Sequence, residues 1–315
     1  MAQRTGTLDG IPIDWQQSPP PLPGSARALA ARRPLLERLR RALGASGQAA
    51  AQRTPDALAT VADPLAIRER LYGRGYVIPG DAAWVLALVE PLRLAAASSL
   101  LDLAAGLGGP ARAVAQTFHL RVMGLERDAA CVRQANALSA ALGARHLVEM
   151  QLCDPESLEL PIARFDGALG REASYAVVEK ERYLRVVTRA LRGYGTIALT
   201  DFALDRAAGE MEELGAWAAA LPQPPALWTE AQYADCFRSL GFTLRAAEDI
   251  SAVYRRQIVA AWIRYLRAGE IRGLAAAQVE AVLAEAEACS RTIAALESGA
   301  LRYYRFEATP QHALR

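Results

Sequence analysis

The chain has 315 residues, 52% of them hydrophobic, and a formal net charge of +2. That length can bury a large core, as one domain with additions or as two small domains, and the composition excludes a wholly disordered chain. The near-balanced charge gives no global reason to expect nucleic acid, and no apolar run approaches the length of a membrane span. Cys131, Cys153, Cys236 and Cys289 are scattered without a CxxC pair, which suits reduced thiols in a cytoplasmic protein. His119, His146 and His312 are too few and too far apart for a metal site, so none is expected.

Residues 1–60 read as an N-terminal extension. Pro19, Pro20, Pro21 and Pro23 make its first part extended or disordered, with Trp15 as a docking anchor. Residues 25–43 read as an amphipathic helix, split or kinked at Pro34, with Leu35, Leu36, Leu39 and Leu43 near one face and arginines around it. Such a helix packs on its own domain or a twin subunit, or lies on a membrane surface. Residues 61–97 read as a lid segment and helix. Within them, Leu71-Tyr72-Gly73-Arg74-Gly75-Tyr76 combines two aromatic residues with glycine turns, and a helix over Asp81–Glu90 follows.

The segment Leu100-Leu101-Asp102-Leu103-Ala104-Ala105-Gly106-Leu107-Gly108-Gly109-Pro110-Ala111-Arg112 reads as a buried strand, a glycine turn and a helix start. Gly106, Gly108 and Gly109 let the backbone turn and approach a ligand, and Pro110 suits the first helical turn. The helix N-terminus is expected to present free amide donors. Gly106-x-Gly108-x-x-Ala111, followed by Glu126, also matches a dinucleotide fingerprint, so a nicotinamide oxidoreductase is one reading.

Further segments continue the alternation. Arg121–Glu126 is a second strand ending in an acid, and Asp128 caps a helix from Ala129 to Leu142 that Gly143 stops. His146–Asp154 is a third strand, followed by Pro155. Phe165–Gly170 is a fourth, and Leu191–Asp201 is a turn and a fifth strand. Ala203–Leu221 reads as a helical insertion. Thr229 caps a helix to Leu240, and Phe242–Ala247 is a strand. Long helices over Val253–Ala268 and Ala275–Leu296 precede a last strand, Leu301–Ala308.

Taken in order, these segments resemble the motifs of class I S-adenosylmethionine-dependent methyltransferases. The "GLGGPAR" form is most similar to the small-molecule branch with glycine/sarcosine, phosphoethanolamine and ubiquinone-type members. The resemblance implies an α/β, Rossmann-like fold: a mostly parallel seven-stranded sheet with an antiparallel edge strand, spanning 98–315, with helical insertions at 203–225 and 253–296. It implies S-adenosyl-L-methionine as cofactor and a small-molecule methyl acceptor.

It also implies site residues. Asp102, Ala104, Gly106 and Gly108 would line the amino acid and ribose of the cofactor, Ala104 standing where the family usually has glycine. Glu126 would accept the ribose hydroxyls, and Arg127 would flank the adenine. Asp154 would take the adenine amino group beside Cys153, with Gly170 and Arg171 after the fourth strand. Tyr72 and Tyr76 lie in a segment resembling "YG-x-G-[FY]", which enters the active site. Gly170-Arg171-Glu172-Ala173-Ser174-Tyr175-Ala176 resembles a family segment whose frequent histidine is replaced here by Ala176. Glu172 and Tyr175 remain as the polar candidates for catalysis, although Glu172 would equally serve as a helix cap or ion-pair partner. The missing histidine leans toward amine acceptors, and with Ala104 it keeps open a methyltransferase-like scaffold without turnover. No basic stripe with interleaved aromatics indicates a nucleic acid partner.

Overall fold

The computed structural model describes residues 6–8, 11–13, 64–205, 212–269 and 274–311. The expected helix at 25–43 and the proline-rich stretch therefore lie outside the described residues. Short strands β1 (Gly6–Leu8) and β2 (Ile11–Ile13) form an antiparallel pair.

Apolar residues alternate to both faces of the main sheet, as a sheet covered on two sides requires. Leu100, Leu169 and Ala198 join one buried cluster, while their neighbours Leu101, Ala168 and Leu199 join another. The strands are β3 (Ser99–Asp102), β4 (Arg121–Glu126), β5 (Val148–Leu152), β6 (Phe165–Arg171), β7 (Leu191–Leu204), β8 (Phe242–Asp249) and β9 (Leu301–Pro310). Their order is β5-β4-β3-β6-β7-β9-β8. β3 to β7 pair in parallel, and β9 pairs antiparallel with both β7 and β8. The antiparallel strand thus sits one place in from the edge strand β8.

Helices α1 (Pro64–Tyr72), α2 (Ala82–Val89), α3 (Gly109–Phe118), α4 (Ala129–Ala141), α5 (Lys180–Ala190), α6 (Glu212–Ala218), α7 (Glu230–Ser239), α8 (Ser251–Arg267) and α9 (Ala276–Ser298) flank the sheet. Their starts follow local chemistry. Asp81 Oδ1 accepts from Trp84 N at 3.0 Å, Asp128 Oδ1 from Ala130 N at 2.7 Å, and Thr229 and Gln232 form a reciprocal capping box. The α8–α9 pair is inserted between β8 and β9, as the sequence suggested, and α9 packs on α1, α6, α8 and β9.

One expectation changes and one is refined. Ala203 and Leu204 complete β7 by pairing with Arg302 and Leu301, so the expected helix from Ala203 is confined, among the described residues, to Glu212–Ala218. The expected turn before the fifth strand is present as a bulge within β7: Leu191 pairs with Phe165 and Thr196 with Gly167, so residues 192–195 stand out from the ladder.

Strand order reverses at β3 and β6, and in open α/β sheets the ligand crevice lies at the carboxyl ends of the strands beside such a point. Asp102, Glu126 and Arg171 end β3, β4 and β6 at that crevice.

Candidate active site

A cleft of about 330 Å³ opens over these strand ends. One end is built by the glycine turn and the acid of β4. Gly106 has φ +54°, a left-handed conformation that glycine tolerates. Its N–H donates to Glu126 Oε2 at 2.9 Å, while Glu126 Oε1 accepts from Arg127 N at 2.8 Å and Asp128 N at 3.0 Å. The Glu126 carboxylate is therefore fixed in orientation, and Oε2, with one donor against two on Oε1, keeps an open acceptor site.

The turn is clamped from above. Gly109 N donates to the Gly75 carbonyl at 2.9 Å, and Gly75 N to Glu69 Oε1 at 2.6 Å. Val77 lies over Gly106, where a Cβ would meet its Cγ2 at 2.7 Å. Below, the buried Arg112 guanidinium donates to Leu107 O at 2.9 Å and Ser139 Oγ at 3.2 Å. The expectation of free amides at the start of α3 is corrected here: the lid segment occupies the Gly109 amide that a pyrophosphate would need. Gly109 serves close approach of two chain segments. An alanine Cβ there would lie 2.5 Å from the Gly75 oxygen, a backbone atom that cannot swing aside. Gly109→Ala is expected to lose about 1–3 kcal/mol of stability, seen as a lowered Tm, because the lid must lift.

Asp102 is buried at the end of β3. Its Oδ1 has only a long 3.5 Å contact from Ala104 N, and its Oδ2 has no partner. Burial pushes its pKa up to about 7, against the opposing pull of the Arg171 guanidinium and the Ala104 amide. Arg171 donates to Pro79 O, and its Nε is also without a partner. An acid and a base on adjacent strands, each with an orphaned atom, complement a zwitterionic amino-acid group.

The other end of the cleft is aromatic. Tyr175 meets Phe202 edge-on at 5.5 Å, Phe202 lies 5.2 Å from Trp217 and 5.5 Å from Tyr254, and Tyr254 stacks on Tyr303 at 4.1 Å. Glu172 faces this group. It has φ +57°, a strained conformation for a non-glycine residue, and its N–H donates to Thr200 O at 2.7 Å. Glu172 Oε1 accepts from Tyr254 Oη at 2.7 Å. Burial pushes the Glu172 pKa up to about 7, partly offset by the Tyr254 hydrogen bond. Arg68 Nε and Glu285 Oε2 pair at 3.0 Å at the far wall, beside the Tyr72 hydroxyl and Cys289 Sγ, which lie 3.4 Å apart.

The segment carrying Glu172 and Tyr175 rests on a buried polar network. Asp201 Oδ2 accepts from Ser174 N at 2.8 Å and Ser174 Oγ at 2.6 Å, and Ser174 Oγ lies 3.0 Å from Tyr233 Oη. Lys180, the single lysine of the chain, is buried and donates to the carbonyls of Ser174 and Val177. Lys180→Met is expected to cost about 1.5–3 kcal/mol, read by chemical denaturation, because it strips charge-assisted bonds from this segment.

The structure brings Tyr72, Ala104, Gly106, Glu126, Arg127, Cys153, Arg171, Glu172 and Tyr175 to one cleft. It does not bring Tyr76, Gly108, Asp154 or Gly170 to the cleft wall. Tyr76 is buried against Gly109 in the clamp, and a Cβ on Gly108 would meet Arg112 and Met150. Asp154 caps the turn after β5, accepting from Glu156 N and Ser157 Oγ at 3.0 Å each. Gly170 lies within β6, against Leu199 and Ala173. Asp102 sits just beneath the wall formed by Leu103 and Ala104. Sequence reasoning missed Arg68, Arg112, Phe202, Trp217, Tyr254 and Glu285. Phe202 alone had a local signal, as the residue directly after the acid at the end of the fifth predicted strand.

An open sheet of this order, with acids ending β3 and β4 around a glycine turn, defines a class I methyltransferase fold, whose methyl donor is S-adenosylmethionine. Residues 94–239 match the family model described as a methyltransferase domain. A phosphoethanolamine N-methyltransferase of Arabidopsis thaliana is 27% identical over 134 residues, covering 42% of this chain and 27% of its own length. The chain therefore spans about a quarter of that relative. The 27-O-demethylrifamycin SV methyltransferase of Amycolatopsis mediterranei is 28% identical over 214 residues, covering 65% of this chain and 76% of its own length. The fold is shared with a Haemonchus contortus phosphoethanolamine N-methyltransferase solved with phosphomonomethylethanolamine and S-adenosylhomocysteine, at a TM-score of 0.69 and 17% identity, over 80% of this chain and 58% of that one.

Proposed function

We propose that the protein transfers a methyl group from S-adenosylmethionine to a small-molecule acceptor. The observation that carries this reading is the single cleft that runs from Glu126 and the Gly106 turn to the aromatic group around Glu172. When bound, the cofactor supplies a methyl carbon activated by positive sulfur. Asp102 takes its ammonium, Arg171 its carboxylate, and Glu126 its ribose hydroxyls, with Arg127 and Cys153 at the adenine end. Tyr175, Phe202, Trp217 and Tyr254 exclude water from the reacting end, and Glu172 accepts a proton from the nucleophile. Relatives named for phosphoethanolamine and demethylrifamycin support a small molecule as acceptor. All four cysteines are free, which supports a reducing, cytoplasmic setting. Among the described residues, no helix is long and apolar enough to cross a membrane.

Calorimetry with S-adenosylhomocysteine tests the donor site: saturable binding is expected, and no binding at millimolar ligand would overturn the reading. NADH should not bind, since the Gly109 amide is already taken. A proton signature should accompany cofactor binding. Asp102 has its pKa raised to about 7 in the free protein, so it is partly protonated at neutral pH. A ligand ammonium favours the carboxylate, so binding near pH 7 is expected to release about half a proton. Binding enthalpies measured in buffers of different ionisation enthalpy read this directly, and Asp102→Asn should reduce the release to what Glu172, also raised to about 7, contributes.

A further inference from the structure

We propose that the methyl acceptor is a phosphate-free, largely apolar hydroxy compound, held in the chamber between the ends of β6 and β7 and helices α6, α8 and α9, with its hydroxyl at Glu172. The proposal rests on the methyl-transfer reading above and names its substrate class.

The chamber wall is Tyr175, Phe202, Trp217, Leu221, Tyr254 and Ile258, a surface suited to a flat or bulky apolar body. Its charges argue against a phosphate ester. Three guanidinium groups line the whole cleft: Arg68, Arg127 and Arg171. Arg127 and Arg171 stand at the cofactor end, by Glu126 and Asp102. Arg68 is the one cation at the acceptor end among the described lining residues, and Glu285 already pairs with it at 3.0 Å. A phosphate dianion would have to displace Glu285 and would also face Glu172. That cost is absent for an uncharged acceptor.

Glu172 argues for a nucleophile that carries a proton to be removed. A free amine attacks with its lone pair and needs orientation only, whereas a hydroxyl gains from a base in the transition state. Glu172 is held in a left-handed conformation with Tyr254 Oη fixed on Oε1, which leaves Oε2 to accept that proton. The step balances as follows. The hydroxyl oxygen forms a bond to the methyl carbon as the carbon–sulfur bond breaks, its electron pair passing to sulfur to leave a neutral thioether. The hydroxyl proton passes to the Glu172 carboxylate, and the products are a methyl ether and S-adenosylhomocysteine.

Size-matched probes separate the classes: 1-naphthol, 1-naphthyl phosphate and 1-naphthylmethylamine, titrated into the full chain loaded with S-adenosylhomocysteine. Naphthol is expected to bind at least about tenfold more tightly than either charged probe. Equal or tighter binding of the phosphate or the amine would overturn the proposal. Glu285→Gln frees Arg68, so it should raise naphthyl phosphate affinity by about tenfold; no gain would overturn the masking of Arg68 by Glu285. Saturation with S-adenosylhomocysteine is measured first. Its failure overturns the donor reading, and the naphthyl series on the cofactor-free chain then still decides the acceptor class.

Discussion

Glu126→Ala is expected to weaken S-adenosylhomocysteine binding by about 10²–10⁴-fold, the largest effect of any single change at the donor end. A lost hydroxyl-to-carboxylate hydrogen bond of about 1.5–3 kcal/mol gives about 10–10²-fold of this. The loss has a second source within the protein. Three backbone amides, those of Gly106, Arg127 and Asp128, end on this one side chain. Without it the glycine turn loses its tie to β4, although Gly75 and Arg112 still hold it from the other sides. Glu126→Gln removes part of each contribution. The amide oxygen still accepts from Arg127 and Asp128, while the NH2 group faces the Gly106 N–H and loses that tie together with the charge. It should bind at least about tenfold more weakly than wild type. Calorimetry on both variants checks this, and wild-type affinity in Glu126→Ala would remove Glu126 from the cofactor site.

Glu172→Gln is expected to lower kcat by about 10²–10⁴-fold with a hydroxyl acceptor, the range general base catalysis contributes. Wild-type kcat/KM should rise with pH through about 7, where the Glu172 carboxyl of the free protein ionises, and that limb should vanish in the variant. Stability should move the opposite way. A carboxyl whose folded pKa is raised adds stability below the unfolded value near 4.5, and this is lost as pH rises through about 7. Glutamine carries no such charge and keeps an oxygen for Tyr254. The variant should therefore be more stable than wild type at pH 8, by about 1–3 kcal/mol, and show no advantage at pH 4. Thermal unfolding at the two pH values reads the sign. An unchanged kcat would exclude Glu172 as the proton acceptor.

Much of the fold was legible locally. Strand ends, helix caps and the glycine turn are patterns of a few adjacent residues, and Asp81, Asp128 and Thr229 start their helices where the sequence placed them. The glycines were read correctly as a turn but only partly for their purpose. Gly106 lines the cleft, whereas Gly109 makes room for Gly75, a chain segment more than thirty residues earlier. A glycine gives no sign of whether a ligand or another backbone needs the space. Tyr76 shows the same limit: its spacing beside Tyr72 was visible, but not that it turns into the clamp while Tyr72 reaches the cleft.

Gly106, Glu126, Arg127, Cys153 and Arg171 could be placed at one end of the cleft from local pattern alone, because residues at successive strand ends become neighbours whenever those strands pair in parallel. The acceptor end was decided by the tertiary structure alone. Arg68 and Glu285 meet across 217 residues, and Tyr254 reaches Glu172 across 82. No local pattern records such meetings, since they depend on how α1, α8 and α9 pack over the sheet. That packing turned a carboxylate equally readable as a helix cap into a half-buried group facing an aromatic chamber, and it paired the nearby Arg68 with Glu285.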